Sequence, residues 1–179
     1  MEEDTLEVPP IRLLGDPVLR TPTAVVTAFD EDLERLVERM NRVMHLAEGV
    51  GLAANQIGVG LRVFVYDIGG PDQGHVVNPV LSVDPAGETD DELEGCLSLP
   101  EQHHPCVRWR SALVRGFDLA GRPVEVQGDG LLARCLQHEV DHLDGVIYID
   151  RISRRERRRA LDEYAAYQAG TPARGGTHG

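Results

Sequence analysis

Residues 130–143, GLLARCLQHEVDHL, decide how this sequence is read. Leu131, Leu132, Leu136, Val140 and Leu143 mark a helix that is largely buried. Within it, His138 and His142 stand four residues apart, so they share one face, one turn above the other. Two imidazoles so placed converge on one ion. Glu139, beside the first histidine, then projects near the ion's open position, where a base is needed to take a proton from water. The plain alternative is a packing helix with two unrelated histidines. The flanks count against it, because two His, a Glu and an Asp in a buried helix need partners.

Two ligands make a weak site, and a third must come from elsewhere. Cys135 is the local rival, three residues before His138. Helical side chains lean toward the N-terminus, so Cys135 leans away from an ion held between the histidines. It also starts seven residues from His142, roughly 10 Å along the axis at about 1.5 Å per residue. Cys135 is expected to wall the adjoining pocket or to fill core. Cys96, in Glu94-Gly95-Cys96-Leu97-Ser98-Leu99-Pro100, is better placed. Gly95 frees the backbone beside it, and Leu97 and Leu99 indicate a partly buried strand. A thiolate with two imidazoles suits Fe2+ or Zn2+. Alone, Cys96 reads as a small buried hydrophobe.

A third segment bears on the same site: Gly49-Val50-Gly51-Leu52-Ala53-Ala54-Asn55-Gln56. Glycines 49 and 51 let backbone come close to a ligand. Gln56 supplies an amide donor for a developing oxyanion. By itself the segment reads as a glycine-rich exit from a helix.

The rest of the chain supplies a frame. Residues 9–20 read as an extended arm with a turn at Gly15-Asp16-Pro17. A helix starts at Asp30 and ends at Gly49, with Leu33, Leu36, Val37, Met40, Val43, Met44 and Ala47 as its apolar stripe. Residues 61–68 and 75–81 are strands joined by a hairpin-like loop, and 84–92 an acidic surface loop. Residues 111–119 and 123–128 form a hairpin around Gly121-Arg122, and 146–150 a further strand. Ser153 to Tyr167 is a third helix, Ser153 and Glu156 having capping-box spacing. The fold class is α+β: short β-sheets packed around the central helix that carries HExxH, with N-terminal and C-terminal helices. One catalytic domain covers residues 1–168, and residues 169–179 form a disordered tail.

Of 179 residues, 41% are hydrophobic and 27% charged, which is the profile of a globular domain. No apolar run approaches the length that crosses a bilayer, and Met1 to Asp4 is acidic, without a basic-then-apolar leader. A cytoplasmic protein with no membrane partner is expected. A net charge of −12 argues against general nucleic-acid binding, DNA included. All 18 basic residues are Arg, and Arg154, Arg155, Arg157, Arg158 and Arg159 crowd together, so any polyanion contact would come from that end. Three cysteines, an odd number, argue against a disulfide framework.

Together, GVGLAANQ, EGCLS and QHEVDH, in this order and at these separations, resemble the three signature motifs of the peptide deformylases. The resemblance runs from about Pro10 to Arg151 and takes in the GDPVLRTP arm, the VVNPVL run and the HLDG after the last histidine. It implies the α+β fold above and a hydrolase of protein biosynthesis and N-terminal methionine processing. The substrate is the N-formylmethionyl end of nascent polypeptides, and the reaction removes the formyl group. It implies that Cys96, His138 and His142 hold one ion per chain, typically Fe2+, with Zn2+ or Ni2+ often replacing it. Water held by the ion attacks the formyl carbon. Glu139 is general base, then acid toward the leaving amine. Gln56 and the backbone N–H of Leu97 stabilise the oxyanion. Val50 and Gly51 offer backbone to the substrate chain as in strand addition. Glu94, Leu131, Arg134 and Cys135 stand where the family builds the methionine pocket. Gly95, like Gly51, places backbone near the acyl carbon. Asp141 is a support for the ligands. Some members dock on the ribosome through a basic C-terminal helix, which makes the Arg154–Arg159 cluster a candidate contact; a solvated face offsetting the acidic body is the alternative.

The sequence departs from the family in two places. Asn55 stands where Pro or Thr is common, with little effect expected because Asn tolerates many backbone conformations. Glu101 to Arg108 differs more, and His103 stands where Arg or a small residue is often found. That bears on preference beyond methionine. His103, His104 and Cys106 form a conceivable extra metal site, but an exposed loop at the substrate rim is expected. Competing functions are an amidase acting on a different N-acyl peptide, a specialised or resistance paralogue, and a structural Zn2+ site. The last would want four ligands where three are offered.

Overall fold

The computed structural model describes residues 9–170. Its helices are α1 (Glu31–Leu46), α2 (Gly130–Leu143) and α3 (Arg154–Gln168). The strands are β1 (Gly51–Ala53), β2 (Val63–Asp67), β3 (Gln73–Ser82), β4 (Thr89–Asp90), β5 (Leu93–Cys96), β6 (Leu99–Pro105), β7 (Arg108–Trp109), β8 (Ser111–Phe117) and β9 (Pro123–Asp129). Five of them make an antiparallel sheet in the order β1-β2-β3-β8-β9, while β4 pairs with β7 and β5 with β6. The fold is α+β, with α1 preceding the sheets in sequence and α3 following them among the described residues.

Strand β2, VFVYD, is apolar at four successive positions because both faces of the sheet are covered. Side chains alternate along a strand. Val63 and Val65 accordingly join the α1 stripe of Leu33, Leu36, Val37, Met40, Val43 and Met44. Phe64 and Tyr66 face the other way, onto Leu132, Leu136, Val140 and Leu143 of α2. A third cluster joins Leu19, Cys96, Leu99, Cys106, Ile147, Tyr148, Ile149 and Ala160.

Helix α1 begins as expected: the Asp30 carboxylate accepts from the N–H groups of Asp32 and Leu33 at 3.1 and 3.2 Å. It ends early, at Leu46. The left-handed residue is Glu48, with φ 54°, and the N–H of Gly49 donates to Met44 at 2.9 Å. Gly49 packs closely instead, since a Cβ there would lie 2.7 Å from Leu97 Cδ1 and make that side chain shift.

Other expectations need correction too, beginning with the extended arm, whose residues Pro17–Arg20 wind into a short 3-10 helix. The 84–92 segment is not all loop, because β4 pairs with β7 and the Arg134 guanidinium holds Asp90. Residues 146–150 do not form a strand. Asp150 folds back on Ile147, accepting its N–H at 3.0 Å, and Tyr148–Asp150 becomes a short 3-10 turn. The apolar run there tracks burial, since Ile147, Tyr148 and Ile149 are all inside. Glu101 to Arg108 is no exposed loop either. It forms most of β6 and the start of β7, with Gln102, His104, Cys106 and Arg108 buried alternately. Helix α3 covers that face through Ala160 and Tyr164, and the Tyr164 hydroxyl donates to Leu14 O at 3.1 Å.

The N-terminal arm holds the site's two loops in place. Arg12 N–H donates to Gln56 O at 2.7 Å and Leu14 N–H to Ser98 O at 2.9 Å. Among the described residues no helix is long and apolar enough to cross a membrane. Ala169 and Gly170 close α3, and the rest of the expected disordered tail, 171–179, lies outside the described residues.

Candidate metal centre

Strand β5 ends at Cys96, immediately before a two-residue turn into β6, and α2 carries His138 and His142 one turn apart. Cys96 Sγ lies 3.2 Å from His142 Nε2, which lies 3.1 Å from His138 Nε2. The ligand atoms of all three lie within 4.8 Å of one another. Tetrahedral bonds of about 2.0–2.3 Å put donors roughly 3.3–3.7 Å apart, so this set can close on one ion with small adjustment. His138 Nδ1 faces Glu94 Oε1 at 2.6 Å, which turns Nε2 toward the cluster.

Burial and the Glu94 carboxylate set the electrostatics of the cluster. Burial works against charge on His138, but Cys96 and Glu94 outweigh it and raise its pKa well above the usual value. Burial and the neighbouring His138 charge hold His142 well below. Glu94 is also buried, yet His138 and Arg108 keep its carboxyl well below the carboxylate range. Two buried polar atoms of the centre have no partner among the described residues: His142 Nδ1 and Glu139 Oε2. Burial pushes the Glu139 carboxyl up to about 7, near the range where it can both accept and donate a proton.

Cys135 stays outside the triad. Its Sγ donates to Val50 O at 3.5 Å, and burial pushes its thiol well up. Gln56 sits in a 3-10 turn, Ala54–Ile57. Its Oε1 accepts from the N–H of Ala53 at 2.9 Å, leaving Nε2 3.2 Å from Ser98 Oγ and 3.8 Å from Cys96 Sγ. The carboxamide is thus fixed with its donor end toward the thiol.

These groups floor a cleft of about 690 Å³. Every site residue expected from the sequence lines it except His142, which is buried behind. Val50 and Leu131 are exposed, and Glu94 is buried with its carboxylate committed to Arg108, Arg134 and His138. His103 lines the cleft, whereas His104 is buried 3.5 Å from both Glu156 and Glu163 of α3. Cys106 is buried as well, and among the described residues the extra cluster of His103, His104 and Cys106 does not form.

The Asp141 carboxylate accepts from Arg108 and Arg151 rather than from either histidine ring. Asn55 matters more than its backbone tolerance suggests. It is fully buried, and its Nδ2 donates to His142 O at 2.6 Å, tying the Gln56 turn to α2. Ser98 and Arg108 also escape a sequence reading.

A thiol and one imidazole at the floor of a cleft, a second imidazole buried behind them and an unpartnered carboxyl oxygen alongside are the donor set of a metallohydrolase centre. The polypeptide deformylase family model matches residues 8–158, and the chain belongs to that family. It is 53% identical over 156 residues to the peptide deformylase of Acidothermus cellulolyticus, covering 87% of this chain and 85% of that one. It is 52% identical to peptide deformylase 2 of Streptomyces avermitilis, covering 88% and 87%. Among solved structures, the peptide deformylase of Legionella pneumophila superposes with a TM-score of 0.81 at 41% identity, covering 92% of this chain and 99% of that one. The Synechococcus elongatus enzyme, in complex with actinonin, gives a TM-score of 0.81 at 39% identity, with 87% and 85% covered.

Proposed function

We propose that this protein removes the N-formyl group from formylmethionine at the start of nascent polypeptides, with one Fe2+ per chain held by Cys96, His138 and His142. Zn2+ or Ni2+ can take its place. The observation that carries the reading is the orphaned, buried Glu139 Oε2 beside a converging Cys/His/His set. When bound, the ion supplies Lewis acidity, lowering the pKa of water and polarising the formyl carbonyl. Glu139 takes the water proton at Oε2 and returns it to the leaving amine nitrogen. Gln56 Nε2 and the Leu97 N–H donate to the oxygen where negative charge develops.

The substrate chain adds along β1, which lies at an edge of the five-stranded sheet. Val50 and Gly51 give it backbone partners. Leu131, Arg134 and Cys135 wall the methionine pocket, with Glu94 and Gly95 beside it. The rim residue His103 meets residues beyond the methionine. We take α2 as the helix around which the sheets are arranged, and residues 1–168 as one catalytic domain working in the cytoplasm.

Ribosome docking through α3 is part of this reading. Arg157 pairs with Asp150 and Arg159 with Glu163, which leaves Arg154, Arg155 and Arg158 exposed for phosphates. The test of the activity is formate release from a formyl-Met peptide by the ion-loaded protein. Chelation should abolish it and Fe2+ or Ni2+ should restore it. A loaded protein that releases no formate refutes the proposal.

A further inference from the structure

A layer of buried charge lies behind the triad, and the proposed chemistry leaves it unused. We infer that Arg108 is a positioning residue that sets how tightly and in what geometry the cation is held. It does so by clamping the strand that carries Cys96 to the helix that carries both histidines. The inference rests on the assignment of those three residues as ligands.

Glu94 stands two residues before Cys96 on β5, and Asp141 one residue before His142 on α2. Arg108, on β7 and only 5% exposed, binds both. Its Nε and Nη2 donate to Glu94 Oε2 and Oε1 at 3.0 and 2.7 Å, and its Nη1 donates to Asp141 Oδ2 at 2.7 Å. A planar guanidinium with fixed donor directions holds two carboxylates at a set separation; an ammonium cannot. The Glu94 oxygen that accepts from Nη2 also faces His138 Nδ1 at 2.6 Å. One side chain therefore bears on all three ligands. It fixes the oxygen that orients His138, the strand that presents Cys96, and the turn of α2 that presents His142. A slip of β5 along α2 would open the 3.2 Å separation between Cys96 Sγ and His142 Nε2.

The surroundings make this separable from folding. Arg134 Nη1 also donates to Glu94 at 2.8 Å, and Arg151 donates to Asp141 at 3.1 and 2.7 Å. Removing the Arg108 guanidinium thus leaves neither carboxylate without a cation, although it removes their common tie.

The test loads the parent, Arg108→Lys, Arg108→Gln and Asp141→Asn with Ni2+ and follows ion release to excess chelator. The absorption of the Co2+-loaded proteins, where thiolate charge-transfer and ligand-field bands report donor geometry, is recorded alongside kcat and KM. The Arg108 variants should bind the ion about 10–100-fold more weakly, as is typical for lost outer partners of a metal ligand. They should also release it faster, with shifted cobalt bands and a fall in kcat larger than any rise in KM. Asp141→Asn, which keeps the Glu94 half of the clamp, should move the same way by less. If an Arg108 variant does not fold, Asp141→Asn decides. Release rates and cobalt bands matching the parent in every folded variant would overturn the clamp. A parent that binds no ion would instead refute the ligand assignment itself.

Discussion

A single methyl group at position 51 tests whether Glu139 works from where it sits. Gly51 is buried at the start of β1, paired with Tyr66 of β2. A Cβ there would press on Glu139 Oε1 and lie 2.9 Å from both Glu139 Cδ and Cys135 Sγ. Carbon contacts are comfortable at about 3.5–4.0 Å, so the overlap is roughly 0.6–1 Å. The strand is held by its pairing with β2, so the carboxylate is what gives way. Overpacking of this kind costs about 1–3 kcal/mol of stability. Moving the base by about 1 Å costs on the order of 100-fold in rate, which is about 2.7 kcal/mol of barrier. The three ligand atoms are not among the nearest neighbours of that Cβ, so the ion should stay. The assay is kcat/KM on a formyl-Met peptide, with metal per chain and the thermal midpoint measured on the same samples. Gly51→Ala should keep one ion and lose about two decades of kcat/KM. Activity within about three-fold of the parent, with the ion in place, would refute the argument that Glu139 is poised there for proton transfer.

Glu139→Gln keeps the shape and removes the base. Metal content should remain near one per chain while the rate falls by about 10²–10⁴-fold, and a variant active within a few-fold would take Glu139 out of the mechanism. Cys96→Ala should abolish tight metal binding and activity, whereas Cys135→Ala should still bind one ion; metal analysis showing the opposite pattern would reverse the ligand assignment.

Much of the candidate site is readable from the sequence because its residues are close in the chain. His138, Glu139 and His142 fall on one helix, so spacing alone brings them together. The exclusion of Cys135 follows from the lean of helical side chains, and the thiol lies off the triad, against Val50. The two hairpins are readable because β2 with β3 and β8 with β9 are joined by short, turn-rich loops. What stays hidden depends on contacts between distant residues. Arg108 meets Glu94 and Asp141 across 14 and 33 residues, and Asn55 meets His142 across 87. No periodicity announces such pairs. The 101–108 stretch looks polar and exposed, with two histidines and a proline, because nothing in it reveals that α3 will cover one face. The 146–150 run is apolar for burial alone, and a local carboxylate bond overrides its strand preference.

The central claim is that the centre removes formyl groups and not larger acyl groups. The most direct measurement is kcat/KM for a matched pair of peptides, formyl-Met-Ala-Ser and acetyl-Met-Ala-Ser, on protein loaded with Fe2+ or Ni2+. Under the proposed function, Gly51 and Gly95 set backbone rather than side chain beside the acyl carbon, in the cleft that both line. On that reading an acetyl methyl would press on this backbone and misplace the carbonyl. The formyl peptide should be cleaved at least about 100-fold faster than its acetyl counterpart. Equal rates, or faster removal of acetyl, would contradict the account and leave a broader amidase in its place.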